Sequence, residues 1–366
     1  MKKNTKLWTM TFSILSAFWL FFISLNILFA GKSILSSIYG SLPDFILLLV
    51  PMLFLFIQIN NKKKNLYTIC TLIIALLLGI TQVDINLLKL DKKNPDTDNS
   101  FKVKVFNWNT KCWDLDKDKN RFYEFLKEQN ADIYLLQEYM YYLPDWQTRK
   151  DMAIDPAKIV KNCSFIPGFS KKFMLINDEL RIKEEFPGYY YSPNFQFVII
   201  SRYPIIQSYL DSSEQFAVSD ININGIAVRF FNVHMVLHLK PSNPLAIEFY
   251  HDMHRRFLAR RIGFTNLLNN INNTVSDYLI AGDFNTTKHM GSLNSLYRNH
   301  FDAIKFSNDL YSNTFKYHGL RFWRLDYIFV PKHTKQINVK SMQILDDQKL
   351  SDHKPMSLYF EFISTK

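Results

Sequence analysis

Leu7 to Ala30 runs for 24 residues without a charged side chain. That length suits a helix crossing the ~30 Å hydrocarbon core of a bilayer. Met1-Lys2-Lys3 precedes it, as in a signal peptide, but two further apolar runs follow. The segment therefore reads as the first of several anchors rather than a cleaved leader. Phe45 to Ile59 is short and contains Pro51; it reaches spanning length if Leu42 to Asp44 enter the interface. Leu66 to Val83 adds 18 residues without a charge. The Asn60-Asn61-Lys62-Lys63-Lys64-Asn65 loop and the Lys2/Lys3/Lys6 terminus both belong in the cytoplasm under the positive-inside rule. Together they predict a multi-pass anchor over residues 1–83, with helices at about 7–30, 42–59 and 66–83. Everything after Val83 then lies on the extracytoplasmic (periplasmic) side. Lys89, Lys92 and Lys93 oppose this placement and are partly offset by Asp84 and Asp91.

Residues 84–100 are expected to form a polar linker; Asp91 to Ser100 within it has no large apolar side chain and contains Pro95. From 101 to 366 the chain reads as an ordinary globular domain. Ten of the 44 Lys/Arg and 5 of the 33 Asp/Glu precede residue 101, so the domain carries 34 against 28, a balance of about +6. A modestly basic surface suits an anionic partner without demonstrating nucleic-acid binding. With 48% hydrophobic residues the chain is too apolar for disorder. Three cysteines make no disulfide framework, although Cys112 and Cys163 could pair in an oxidising compartment.

Short apolar strands alternate with helices, and their ends share a property. Phe101, Val103 and Val105 lead into Asn107-Trp108-Asn109, and Ile133 to Leu136 ends in Gln137-Glu138. Ile226 to Val233 ends at His234, and Tyr278 to Ile280 breaks at Ala281-Gly282-Asp283. Helical composition marks residues 118–129 and about 244–270. Strands packed in a core aim their ends and following loops at one rim. Polar groups gathered there are costly unless they pair or bind something. One asparagine after a strand is an ordinary turn residue; Asn109, Glu138, His234, Asp283, Asn285, Asp352 and His353 together are a candidate site.

The strings Asn107-Trp108-Asn109, Leu136-Gln137-Glu138, Asn232-Val233-His234, Gly282-Asp283-Phe284-Asn285, Arg324-Leu325-Asp326-Tyr327 and Ser351-Asp352-His353-Lys354-Pro355 stand in an order that resembles the motif series of the endonuclease/exonuclease/phosphatase (deoxyribonuclease-I-like) superfamily. The resemblance covers 101 to about 362, as in a membrane-anchored, bacterial-type member. It implies an α/β fold, a four-layer α/β/β/α sandwich of two mixed sheets flanked by helices, following the transmembrane anchor. It implies a divalent-metal-dependent hydrolase of phosphate esters, nuclease-like or phosphodiesterase-like. Glu138 resembles the main ligand of Mg²⁺ or Mn²⁺, with Asn109 and Asp352 as further or water-mediated contacts. His353 resembles the catalytic histidine held by Asp326. Asp283 and Asn285 resemble the pair that positions the attacking water, and His234 a histidine that bonds a phosphate oxygen. Whether Asp283 or His353 is the base stays open, with the reading leaning to Asp283. Ser201-Arg202-Tyr203-Pro204-Ile205 resembles a structural element.

After Asn285 the chain reads Thr286-Thr287-Lys288-His289 where many relatives turn through a proline. Residues 139–193 are rich in aromatics (Tyr139, Tyr141, Tyr142, Trp146, Tyr189, Tyr190, Tyr191) interleaved with Lys171, Lys172 and Arg181, a segment that packs as a loop, stacks bases or lies on lipid. Arg255, Arg256, Arg260 and Arg261 form either a solvated helix face or a phosphate track. His289, His300, His318 and His333 read as surface residues. The substrate is nucleic acid or a phospholipid headgroup, and no protein partner is expected. A lipid phosphodiesterase of sphingomyelinase type and a catalytically inactive, membrane-tethered binding module are the alternatives.

Overall fold

The computed structural model of the chain describes residues 2–61, 64–86, 102–112, 119–142, 173–174, 179–240, 242–334 and 336–363. Cys163, Trp146, Lys171, Lys172 and most of the expected linker lie outside the described residues. The chain divides into two compact units. One unit joins Met1–Ile85 to Leu239–His254 and Thr286–Ser295; the other holds Asn86–His238, Arg255–Asn285 and Leu296–Lys366.

The first unit is built on helices α1 (Lys2–Phe29), α2 (Leu35–Tyr39), α3 (Ile46–Asn60) and α4 (Leu66–Gln82). Met10–Phe29 is long and apolar enough to cross a membrane: 20 residues at mean hydropathy 2.1. Only 17% of its apolar window is buried, which separates it from the core helix of a soluble domain. α3 and α4 are apolar but have 15 and 17 residues, and α3 contains Pro51. Ser13 Oγ and Thr68 Oγ1 lie 2.7 Å apart, a polar link between α1 and α4. A 3-10 turn at Lys288–Met290 packs within this unit, and His289 in it is fully buried. The expectation of a surface position was therefore wrong for His289. It fails for His300 as well, which is 2% exposed between Leu296 O and the Tyr278 hydroxyl. His318 and His333 are exposed.

In the second unit the order is β1 (Val103–Asn109), α5 (Lys119–Gln129), β2 (Ile133–Gln137), β3 (Tyr141–Tyr142), β4 (Phe173–Met174), α6 (Glu179–Glu185), β5 (Tyr190–Asn194), β6 (Phe197–Ser201), β7 (Ile205–Leu210), β8 (Phe216–Ile223) and β9 (Ile226–His234). It continues through α7 (Ile247–Asn272), whose first turns belong to the first unit, then β10 (Asp277–Asp283), α8 (Asn294–Asn299), β11 (His300–Asp302), β12 (Phe315–Tyr317), β13 (Leu320–Trp323), β14 (Asp326–Pro331), β15 (Ile337–Ile344) and β16 (Met356–Phe362). Two mixed six-stranded sheets result among the described residues, in the orders β15-β16-β1-β2-β6-β5 and β11-β14-β10-β9-β8-β7. The β1/β2 and β9/β10 pairs are parallel and the other pairs of these sheets antiparallel. This is the expected α/β sandwich, sheet on sheet with helices outside.

Period-two alternation explains the layering. Along β1, Val103 and Val105 enter the core between the sheets, while Phe106 and Trp108 face outward into a second cluster with Phe122 and Phe125 of α5. Leu135 of β2 and Phe230 of β9 likewise face inward, as do Leu279 and Ala281 of β10 and Ile328 of β14. The same phase carries Asn107, Gln137 and Asn232 inward next, and there the two sheets are bonded. Gln137 Nε2 donates to Asn107 Oδ1 at 2.9 Å and to Asn232 Oδ1 at 2.6 Å, and Asn232 Nδ2 donates to Leu136 O at 3.1 Å. One further step along each strand lies the candidate site. Elsewhere in this unit Arg202 donates to Asp132 Oδ1 at 2.8 Å and to the Tyr189 hydroxyl at 2.6 Å, so the Ser201–Ile205 string is structural as expected.

Removing a bonded partner from a fully buried network leaves donors without acceptors. Asn232→Ala should destabilise the full chain by about 2–3 kcal/mol in denaturant unfolding. Burial holds the His289 imidazole down to about 4, below its ordinary value near 6.5. Unfolding then takes up a proton, so this contribution is complete above about pH 6.5 and is lost as the pH falls towards 4. The melting temperature should drop across that window, and His289→Gln should flatten the drop.

Candidate active site

Four strand ends and two strand starts converge because of strand direction. The parallel pairs β1/β2 and β9/β10 point their C-terminal ends the same way, and antiparallel β14 and β16 begin there. Asp283 is paired with His234 on one side and Asp326 on the other, so three site residues share one rung of adjacent strands. Gly282 makes this rung possible. Its φ is 149°, and a Cβ there would lie 1.9 Å from Val233 O. Only glycine lets β10 and β9 approach in that conformation.

The residues expected at the site are brought together. Asn109 Nδ2 donates to Asp283 Oδ2 at 3.0 Å and to Glu138 Oε1 at 3.2 Å, joining the two sheets at the rim. His234 Nε2 is 3.4 Å from Glu138 Oε1 and 3.7 Å from Asp283 Oδ2. His353 Nε2 is 3.6 Å from Asp283 Oδ2, and its Nδ1 is 2.8 Å from Asp326 Oδ2. Asp283 Oδ1 accepts the Asn285 N–H at 2.7 Å. The Asn285 side chain donates to Met235 O at 2.8 Å, so its nitrogen braces the adjoining loop. Asp352 stands beside these groups, paired with Lys111 Nζ at 2.8 Å.

Sequence reading missed several supports. Gln196 Oε1 lies 2.6 Å from His234 Nδ1 and orients that ring. Trp108 Nε1 donates to His353 O at 2.9 Å, and Ser351 Oγ donates to Asn109 O at 2.8 Å while accepting the His353 N–H at 3.1 Å. Thr314 Oγ1 accepts the backbone N–H groups of Leu325 and Asp326. No local pattern marks Gln196 or Thr314, because each is defined by a partner 11 or more positions away. Arg324 forks onto Asp302 at 2.7 Å through both terminal nitrogens, a buried brace before β14. The arginines of α7 follow neither reading for Arg256 and Arg260. Both are buried, donating to Leu237 O at 3.3 Å and Val236 O at 2.5 Å on the loop after His234.

The electrostatics separate roles. Burial alone would lower the His353 pKa, but the Asp326 and Asp283 carboxylates outweigh it and raise it to about 10. Burial raises Asp283. Burial, then the nearby Asp352 carboxylate, raises Glu138. Asp283, Asp326 and His353 have ligand-type atoms within 4.8 Å of one another. A cationic imidazole bonded to Asp326 cannot coordinate a cation, so that trio is a relay of one hydrogen bond, His353 to Asp326, and one longer ion pair, His353 to Asp283. Glu138 and Asp352 form the pair that fits a divalent cation: hard oxygen donors, each about one-quarter exposed, whose mutual repulsion a cation would relieve. Asn109, as placed, turns its nitrogen and not its oxygen towards the carboxylates, so it orients Glu138 rather than offering a ligand atom. Beside Asp352 a cleft of about 450 Å³ is lined by Lys111, Lys316 and Lys349.

Comparison with known proteins places this geometry. Residues 106–353 match the profile described as the Endonuclease/Exonuclease/phosphatase family. The structure is similar to an endonuclease/exonuclease/phosphatase family protein from Leptotrichia buccalis C-1013-b, at 18% identity and TM-score 0.47 over 71% of this chain and 100% of that one. It is also similar to a Neisseria 3′ phosphatase bound to a product DNA hairpin, at 16% identity and TM-score 0.43 over 72% and 100%. Beta toxin from Staphylococcus aureus is similar at 16% identity and TM-score 0.41 over 70% and 99%. Such distant likenesses carry nothing about substrate. No curated protein matches the chain.

Asp326→Asn should remove the charge that sustains the His353 imidazolium. Its ring resonances in NMR of the full chain should titrate well below the wild-type midpoint, with the fold retained.

Proposed function

The chain belongs to the endonuclease/exonuclease/phosphatase family, and on that premise we propose that it is a divalent-metal-dependent hydrolase of phosphate ester bonds held in a membrane by its N-terminal helices. The observation that carries the reading is the Asp326–His353–Asp283 relay, meeting Glu138 and His234 across the two sheets at one rim.

Glu138 and Asp352 would hold Mg²⁺ or Mn²⁺, which when bound supplies Lewis-acid stabilisation of charge on the phosphoryl oxygens. The chain's own groups do the rest. Asp283 accepts a proton from the attacking water, since burial raises its basicity and the Asn285 N–H and Asn109 Nδ2 fix both its oxygens. His353 stays cationic and donates Nε2–H to a phosphoryl oxygen, while Asp326 holds Nδ1–H. His234, turned by the bond from its Nδ1 to Gln196 Oε1, donates Nε2–H to a second oxygen in its protonated form. Water's oxygen bonds to phosphorus as the ester P–O bond breaks, and the leaving oxygen takes a proton from solvent. Lys111, Lys316 and Lys349 favour an anionic substrate near Asp352.

Topology completes the proposal. α3 and α4 are read as further crossings that the bilayer meets by local thinning, with the Lys62–Lys64 loop cytoplasmic and the chain from Asn86 onward outside.

The test uses the full chain in detergent micelles with bis-p-nitrophenyl phosphate. Mg²⁺ or Mn²⁺ should support turnover that EDTA abolishes. His353→Ala and Glu138→Gln should each lower kcat by about 100-fold or more, and Glu138→Gln should also weaken metal binding measured by calorimetry. Turnover untouched by both substitutions would sink the assignment.

A further inference from the structure

β12 (Phe315–Tyr317) and β13 (Leu320–Trp323) form a two-stranded sheet of their own, outside the two six-stranded sheets. His318 and Gly319 join them, both with positive φ, 47° and 85°. A two-residue turn of that kind matches the twist of a tight hairpin. The turn end is open: Tyr317 and Leu320 are 41% and 54% exposed. The other end is fastened to the site. There Thr314-Phe315-Lys316 runs antiparallel to Asp352-His353-Lys354, with Phe315 bridged to His353. Lys316 N donates to Asp352 O and Lys354 N to Thr314 O, each at 2.8 Å. Arg321 of β13 secures this end as well, Nη1 donating to Thr314 O at 3.3 Å and Nη2 to Asp347 Oδ1 at 2.6 Å.

Each residue of this strap holds a different member of the site. Thr314, fully buried, accepts the N–H groups of Leu325 and Asp326 at 3.1 and 3.2 Å, which fixes the backbone that carries the Asp326 carboxylate. Lys316 holds the backbone of Asp352 through its N–H. Phe315 lies against His353 itself, with ring centroids 4.9 Å apart and planes tilted by 49°. Trp323 in turn packs edge-on against Phe315 at 6.5 Å, so the ring is backed by β13.

That ring contact supplies something the hydrogen bonding of His353 does not. The second side-chain torsion of a histidine is broad, and it decides where Nε2–H points. Asp326 holds Nδ1 at 2.8 Å, but one bond at one edge leaves the imidazole plane free to rock about it. Nε2 stands 3.6 Å from Asp283 Oδ2, beyond the hydrogen-bond distance that would fix the opposite edge. A flat ring laid against the imidazole restricts the rocking, because further tilt either overlaps it or loses its contact. We propose that Phe315 is a positioning residue for the reaction: its ring sets the plane of the His353 imidazole and so aims Nε2–H at the phosphoryl oxygen, while Thr314 keeps Asp326 in line behind it. The proposal rests on the hydrolase reading above.

The full chain in detergent micelles is assayed with bis-p-nitrophenyl phosphate and Mg²⁺, unsubstituted and as Phe315→Leu, Phe315→Tyr, Thr314→Val and Thr314→Ser. Phe315→Leu should lower kcat at least about tenfold and leave KM within about twofold, since a misaimed donor is felt in the transition state more than in binding. Phe315→Tyr, which keeps the flat ring, should recover most of kcat. Thr314→Val should lower kcat in the same way, and Thr314→Ser, which keeps the acceptor, should recover it. NMR of the chain labelled with ¹⁵N in its histidine rings reads the geometry at fixed pH without metal or substrate. The Nδ1–H resonance of His353 should be sharp in the unsubstituted chain and in Phe315→Tyr, and broadened by exchange with water in Phe315→Leu. Melting temperature checks that each variant is folded, and Phe315→Met, which fills the space without a flat face, repeats the test should Phe315→Leu unfold. A raised KM at unchanged kcat makes Phe315 a substrate contact and overturns the proposal. So does kcat lost equally in Phe315→Leu and Phe315→Tyr, or an Nδ1–H signal as sharp in Phe315→Leu as in the unsubstituted chain. In each of these cases the hydrolase reading stands. No metal-dependent turnover by the unsubstituted chain overturns both.

Discussion

The hydrogen bond from Gln137 to Asn232 passes from one sheet to the other through the middle of the molecule's second unit, and the site hangs on it. Two sheets packed only through apolar side chains can slide, because dispersion and burial have no direction. An amide at 2.6 Å fixes their register to tenths of an ångström. Two turns of the alternation beyond the apolar core, the same inward-facing positions become Asn109, His234 and Asp283, contributed by both sheets. A site divided between two sheets needs such a pin. Part of its energy is forgone, since Asn107 Nδ2 and Gln137 Oε1 find no partner among the described residues. Buried amides kept under those terms indicate geometry rather than stability as their purpose.

At the rim, burial and charge work against each other in a controlled way. An isolated buried imidazole would be neutral, and an isolated buried aspartate would resist ionisation. Placed 3.6 Å from Asp283 and 2.8 Å from Asp326, His353 becomes a cation and so supplies the charge that those carboxylates require. Glu138 and Asp352 lack that arrangement. Lys111 pairs with Asp352, and at Glu138 burial and the Asp352 carboxylate outweigh the lowering by His353, Asn109 and Lys111. The uneven distribution of positive charge across four carboxylates sets Asp283 and Asp326, which share His353, apart from Glu138 and Asp352.

The helical unit changes how the apolar N-terminal segment is understood. As a string of apolar residues it looks like an anchor, separate from whatever it carries. With Asn26, Gly40 and Val83 bonded to Thr287, Lys288 and His289, it is also the fold of the loop that follows Asn285. The departure of this chain from a proline turn at Thr286-Thr287-Lys288-His289 acquires a reason: the segment is shaped for packing against helices, and His289 sits fully buried there.

The sequence by itself determined the sandwich, the strand ends and the cast of the site. Alternation and motif order are local properties, and Asn109, Glu138, His234, Asp283, Asp326 and His353 each sit in a short string that names them. It also marked α1 as long enough to cross a membrane. Tertiary structure alone decided which groups touch. Gln196 acquires meaning only from His234, 38 positions away, and Asn26 only from His289, 263 positions away. It turned Arg256 and Arg260 inward and buried His289 and His300, because exposure depends on what the rest of the chain lays over a residue. It gave Asn107, Gln137 and Asn232, legible as motif letters, their role as the pin between sheets. Hydrogen bonds and burial are properties of pairs, and a single residue's neighbours in sequence do not contain its neighbours in space.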